Sequence, residues 1–267
     1  MCIRDSTYIQ ENIDTAVKDV CKKEYRIDVV TKLVGSTLWI YLPLEDIFEK
    51  SEKPEKYVER FEIKDNREDF QGGTLDLEYL IRPIADQEKT NELKYNKSAL
   101  DKVNDVWKVV RRVLFSMERL KGNEPQFFVM VTADIKNGFE IKEISYIEDL
   151  KKVSYEFISW GEYQHRTIQD TAISPSIVGD KEGLHLDYQD ITMQNFIAAQ
   201  IRQRIKLKFQ KPEVDKSADI DKEILKIVVY TLKTYSFKDF SSVELNNLLT
   251  NNKIILNQAA VWARPTE

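Results

Sequence analysis

The stretch 127-FFVMVTADIKNGFEIKEISY-146 decides the fold class of this chain. Residues 127–135 form an apolar run, and residues 139–146 alternate apolar and polar side chains. Asn137-Gly138 between them is the strongest short-range signal for a tight turn that joins two strands. The stretch therefore predicts a β-hairpin.

Helices are predicted on both sides of this hairpin. Apolar residues recur at helical spacing over residues 100–120 and predict the longest amphipathic helix of the chain, which Gly122 and Pro125 end. Residues 147–150 open another helix after the second strand. The order is therefore helix, hairpin, helix.

A second stretch of the chain has the same order. Residues 7–24 predict an amphipathic helix in which Cys21 is a buried hydrophobe, residues 27–42 predict a hairpin, and residues 43–48 predict a short helix. The two stretches align without gaps at an offset of 103 residues, which places Gly35 on Gly138. We interpret this as an internal duplication. Coincidence between two common hairpins is the alternative, because few residues are identical.

The remaining segments give weaker signals. Strands are predicted at residues 57–63, 74–84 and 254–262, a charged connector at 49–56, and a short helix at 241–244 from the spacing of a capping box. A degenerate third unit would place a strand at 184–188 and a helix from Thr192, with residues 204–209 either helical or extended.

These elements predict an α+β fold in which repeated helix–β-hairpin–helix units form an antiparallel sheet backed by helices. The predicted organisation is a duplicated region at residues 7–172 and a C-terminal α+β region at 173–267. Residues 1–6 match the translation of a sequencing adaptor, as found at the start of assembled environmental sequences, and are predicted to be an artefact. The compartment is left open, with export to the periplasm or lipid anchoring as one alternative.

Composition restricts the function classes. The chain has 267 residues, 42% hydrophobic residues and a net charge of −5, which is typical of a soluble globular protein and makes nucleic acid an unexpected partner. No apolar run reaches the roughly 18 residues of a transmembrane helix. The chain carries only eight glycines and two histidines and shows no nucleotide-binding or catalytic motif. No cofactor, catalytic residue or metal site is therefore predicted.

Three polar clusters remain as candidates. Trp160, Glu162, Tyr163 and His165 would line a small-ligand pocket, or else form an ordinary helix surface with aromatic anchors. The basic residues of the second cluster would contact an anionic polymer, or form a solvated face: Arg202, Arg204, Lys206 and Lys208. In the third cluster, His185 lies in an acidic loop, and an exposed polar strand edge is the simpler interpretation than a cation site.

The sequence alone does not determine the function. The leading hypothesis is a non-catalytic binding or assembly protein of bacterial origin, whose partner is another protein or a second copy of itself. The alternative is a small-ligand-binding protein or enzyme with a pocket near residues 160–166.

Overall fold

A computed structural model describes residues 12–116, 125–211 and 213–265. The predicted artefact at residues 1–6, the first turn of the helix predicted from residue 7, and the end of the helix predicted to residue 120 lie outside the described residues. The chain forms two units, one comprising residues up to 53 with 92–191 and the other 54–91 with 192 onward. The predicted duplicated region, 7–172, thus contributes to both units.

A five-stranded mixed sheet, in the order β1-β2-β5-β6-β7, forms the centre of the first unit. Its strands are β1 (Val30–Val34), β2 (Thr37–Leu44), β5 (Phe127–Asp134), β6 (Phe139–Tyr146) and β7 (Ile168–Ile173). Its helices are α1 (Ile13–Val20), which continues as a π-helical turn (Cys21–Tyr25), α2 (Lys97–Phe115), α3 (Ile147–Ser154) and α4 (Trp160–Arg166). One core cluster joins the apolar faces of α1, α2 and α3 to one side of β2 and β5.

The other side of this sheet is covered by irregular chain. Residues 174–191 contain only a short 3₁₀ turn (Pro175–Ile177), and Ile177, Leu186 and Tyr188 from this segment pack on Trp39 and Tyr41. Because both sides of the sheet are covered, all eight residues of β5 are buried.

A long hairpin connects to the second unit. Its strands are β3 (Phe48–Gln71) and β4 (Thr74–Tyr95), joined by Gly72-Gly73, and both glycines have the positive φ angles that a tight two-residue turn requires. The charged connector predicted at 49–56 is therefore wrong, because these residues continue the strand.

The second unit contains a four-stranded mixed sheet in the order β3-β4-β8-β9, with β8 (Ser242–Asn247) and β9 (Asn252–Asn257). Its helices are α5 (Met193–Phe209), α6 (Ile220–Thr234) and α7 (Gln258–Ala263). Burial alternates along β8, because the core formed with α5 and α6 lies on one face of the sheet. No described helix of the chain is long and apolar enough to cross a membrane.

The predicted α+β class fits this mixture of helices and sheets, but the predicted antiparallel sheet is wrong. β2 pairs with β5, and β4 pairs with β8, in parallel. In each unit a helix directly precedes the second hairpin, α2 before β5 and α6 before β8, and the inner strands of the two hairpins run the same way. Both units share this hairpin–helix–hairpin order.

The repeat at an offset of 103 residues is not confirmed. The first hairpin turns through Gly35-Ser36 between the paired residues Val34 and Thr37, whereas four residues separate the paired Asp134 and Phe139. The helix predicted at 43–48 is also wrong, because Phe48 already starts β3. The two stretches consequently differ both in turn length and in the element that follows the hairpin.

Other local predictions fail where long-range pairing decides the conformation. Residues 242–244 belong to β8 rather than a helix, residues 258–262 are helical rather than extended, and residues 184–188 form no strand. Residues 204–209 are helical, as the end of α5. The strands predicted at 57–63 and 74–84 are confirmed.

Candidate functional site

The second unit contains a groove of about 880 Å³ between β3 and the C-terminal half of α5. We call it the β3–α5 groove. Its strand wall runs from Glu55 to Lys64, and its helix wall is formed by the side chains of the last turns of α5. Phe61 of β3 and Phe209 of α5 meet edge to face, with ring centroids 5.2 Å apart, and join the two walls.

The strand wall is an edge of the sheet, because β3 pairs with β4 alone among the described strands. Pro54 lies within this strand and has no backbone N–H to donate. Proline is tolerated in a sheet where the N–H would point away from the neighbouring strand. We therefore expect the backbone of Lys56 and Val58, which share the parity of Pro54, to point outward as well.

The helix wall carries positive charge. Arg202 and Lys206 are exposed, lie one turn apart on α5 and line the groove. Lys206 has no carboxylate partner among the described residues.

The other two predicted basic residues are placed differently. The Arg204 guanidinium lies 4.9 Å from the ring centroid of Tyr230, and its Nε donates to Gln200. Lys208 pairs with Glu223 at 3.0 Å. The four predicted anion contacts are therefore divided between two faces of α5.

Two acidic side chains of the strand wall, Glu59 and Glu62, are paired within the sheet, whereas Glu55 at the end of this wall has no cationic partner among the described residues. Glu59 Oε2 lies 3.7 Å from Lys89 Nζ, and Glu62 pairs with Lys64 at 2.7 Å and with Arg82. Hydrogen bonds from Lys64 and Arg82 lower the pKa of Glu62, so this carboxylate is charged and compensated. Lys206 on the helix wall is consequently a positive charge of the groove that is available to a partner.

The pocket predicted around residues 160–166 is a packed segment of the first unit. Ser159 caps α4 by accepting a hydrogen bond from the Glu162 N–H at 3.1 Å. Trp160 is 53% exposed, contacts Tyr163 edge to face and lies beneath the Arg111 guanidinium. His165 is exposed on the same short helix.

The side chains of Tyr163 and Glu162 make structural contacts within the first unit. Tyr163 is buried, which raises the pKa of its phenol, and its hydroxyl donates to Ser145 Oγ at 3.1 Å. Glu162 accepts from Arg166 Nε at 2.7 Å, and Arg166 Nη1 donates to the buried Asp149 at 2.9 Å. The four predicted ligand residues therefore share one short helix, on which Tyr163 is buried and Trp160 and His165 are exposed.

His185 occupies a different environment from the one predicted. Its Nδ1 lies 2.5 Å from Asp180 Oδ2 and its Nε2 lies 2.8 Å from Glu140 Oε2. The His185 side chain is 9% exposed, so it is enclosed by the first unit rather than displayed on a strand edge. The acidic loop supplies Asp180, but β6 supplies Glu140, which sequence reasoning missed.

Comparisons with protein-family models, with curated proteins and with solved structures gave no match to this chain. The proposed function is therefore based on the fold and on the β3–α5 groove. Sequence reasoning identified Arg202 and Lys206 but missed Tyr57 and Phe61, which line the strand wall. Alternation around Gly72-Gly73 and the isolated Pro54 were the signals that could have located this edge strand.

Proposed function

We propose that this protein is a non-catalytic binding protein that captures an extended polypeptide segment in the β3–α5 groove. The segment lies along β3 as an additional strand, with its backbone hydrogen-bonded to the outward-facing groups of the edge. The observation that supports this proposal is the position of the groove between an edge strand and a helix.

The length of the groove favours a polypeptide over a small molecule. Its strand wall runs from Glu55 to Lys64. At about 3.3 Å per residue these positions span roughly 30 Å, which suits an extended segment of about nine residues. The alternative, a small ligand held near residues 160–166, is less favoured because Tyr163 is buried and Glu162 is engaged by Arg166.

Charge indicates the kind of segment. Arg202 and Lys206 line the helix wall, while Glu59 and Glu62 are already paired with cations of the sheet. A partner strand with acidic side chains on the face toward α5 complements this distribution. We propose such a segment of another protein as the occupant, with self-association as the competing outcome.

The hairpin–helix–hairpin order in both units agrees with this proposal. Each hairpin added to a sheet creates a new edge, and in the second unit β3 is such an edge. An underlying sequence duplication and the bacterial origin remain predictions.

Fluorescence anisotropy tests the proposal with a labelled nine-residue peptide in which glutamate alternates with valine. We expect a Kd on the order of 10–100 μM, as for a small, partly hydrated interface. The double charge reversal Arg202→Glu/Lys206→Glu should weaken binding about tenfold or more. Lys211→Glu is the matched control, because Lys211 is exposed just after α5 but does not line the groove.

A second variant separates strand addition from charge attraction alone. Lys56→Pro removes one outward N–H beside the native Pro54 and should abolish binding without unfolding β3, because Lys56 is exposed. A lysine–valine peptide of equal length should bind at least tenfold more weakly than the glutamate–valine peptide. Equal binding of both peptides, or affinity unchanged by Lys56→Pro, would contradict the proposal, as would concentration-dependent dimerisation through the groove.

A further inference from the structure

Residues 180–188 form a hinged segment over the first unit's sheet, which we call the flap. At its start, the Gly179 N–H donates to the Ile135 carbonyl at 2.7 Å. At its end, Asp190 accepts from the Ser36 N–H at 2.8 Å and from the Thr37 hydroxyl at 2.9 Å. Residues 180–188 contain no helix or strand, so the flap is tied at both ends and irregular between them.

Aromatic side chains lie under the flap. Tyr188 contacts the Trp39 ring edge to face at 5.4 Å, and the His185 ring contacts Tyr41 in the same manner at 5.7 Å. The Tyr41 hydroxyl donates to the Asp180 carbonyl at 2.6 Å. Lifting the flap would therefore expose the Trp39 and Tyr41 side of the sheet.

His185 fastens the middle of the flap to the sheet. One ring nitrogen contacts Asp180 within the flap, and the other contacts Glu140 of β6, across the boundary between flap and sheet. A histidine can donate from both nitrogens at once only when it is protonated. The closed arrangement with two carboxylates therefore requires an imidazolium ion.

We propose that residues 180–188 are a proton-controlled flap, closed by protonated His185 and released as the pH rises, which uncovers the aromatic face of the sheet. Burial acts to lower the pKa of His185, but hydrogen bonds and charge from Asp180 and Glu140 outweigh burial and raise it above 6.5. The stabilisation is therefore complete below about pH 6.5 and is lost as the pH rises through the raised pKa.

Asp180 limits the stability of the closed flap at low pH. Burial acts to raise its pKa, but hydrogen bonds from His185 and from the Glu182 N–H lower it below 3.8. Its contribution is present above that value and is lost only as the pH falls through the lowered pKa. The other titratable or charged groups near His185 are Tyr41 on β2, whose ring contacts the imidazole, Tyr188 on the flap, and Lys32 over the Tyr188 ring.

Amide hydrogen exchange of the full chain between pH 6 and pH 9 tests this proposal, with each rate divided by the intrinsic rate at the same pH. The amides to follow are His185 and Leu186, whose N–H groups are bonded inside the flap. Their protection should fall on the order of tenfold across this range, because hydrogen bonds to charged partners are lost. The hinge amides of Gly179 and Ile191 should keep their protection.

Three variants test whether the pH dependence of protection comes from His185. In His185→Gln, flap protection should be low and independent of pH, whereas His165→Gln, at the exposed histidine, should retain the wild-type pH dependence. In Glu140→Gln, the midpoint should move to lower pH, because one carboxylate is lost. Constant wild-type protection, or an equal fall in His185→Gln, would overturn the proposal; if His185→Gln does not fold, an unchanged midpoint in Glu140→Gln would overturn it instead.

Discussion

The two sheets differ in what covers their second face. In the first unit, helices cover one side and residues 174–191 cover the other, so β5 is buried along its whole length. In the second unit, burial alternates along β8. The first unit uses its irregular chain as cover, whereas the second leaves strand surface accessible, and the proposed binding edge belongs to the second.

The ion pairs compared in the two units differ in exposure. Breaking the buried pair of the first unit should give the largest loss of stability among these predictions. Arg166→Ala removes the closer of two cationic partners of Asp149, whose side chain is 1% exposed, and leaves Lys152 at 3.3 Å. Weakening the compensation of this buried carboxylate should cost up to about 3–5 kcal/mol in the free energy of unfolding. Lys216→Ala removes a partner of Asp86 in the second unit, where both side chains are more than one third exposed, and should cost about 1 kcal/mol or less.

Urea denaturation followed by circular dichroism measures both changes. Equal destabilisation by the two variants would show that burial of the Asp149–Arg166 pair contributes nothing beyond an exposed pair.

Truncation of buried strand side chains should give the next largest loss in the free energy of unfolding. Met130 and Val131 are adjacent on β5 and fully buried, so Met130→Ala and Val131→Ala should each cost about 2–4 kcal/mol. On β8, Leu245→Ala should cost as much, but its neighbour Glu244→Ala should cost about 1 kcal/mol or less. The same denaturation assay checks the four variants. Tolerance of Val131→Ala would contradict the cover provided by residues 174–191.

Turn glycines provide a smaller test. Gly183 has φ +66°, and an added Cβ would overlap the Tyr188 hydroxyl and lie 3.1 Å from the Tyr41 ring, whereas Gly72, with φ +55°, has open space around it. Gly72→Ala should cost about 1–2 kcal/mol from backbone strain alone. Gly183→Ala should cost about 1 kcal/mol more, because the aromatic ring must move. Thermal unfolding of both variants measures the difference, and equal melting shifts would argue against close packing of the flap.

Local patterns predicted the elements that short-range chemistry determines. The hairpin around Asn137-Gly138, most of α2 and the buried Cys21 follow from turn residues and helical spacing. The helix predicted at 241–244 failed because Ser242 pairs with Thr74, far away in the chain. No local spacing reports such a contact.

The same limit applied to the sites. Arg202 and Lys206 were found because they are close in sequence, but the wall opposite them comes from residues 55–64. His185 was recognised beside Asp180, whereas Glu140 is 45 residues away. Around residues 160–166, Trp160 packs against Tyr163 and Arg166 pairs with Asp149, and the ligand pocket predicted there stays a prediction.

Strand addition at β3 can be observed directly by recording backbone amide NMR spectra of the full chain with and without the glutamate–valine peptide. The proposal predicts slowed hydrogen exchange at the Lys56 and Val58 amides and new cross-strand contacts between the peptide backbone and β3. Slowed exchange at β9 or β7, with β3 unchanged, would contradict the proposed binding edge.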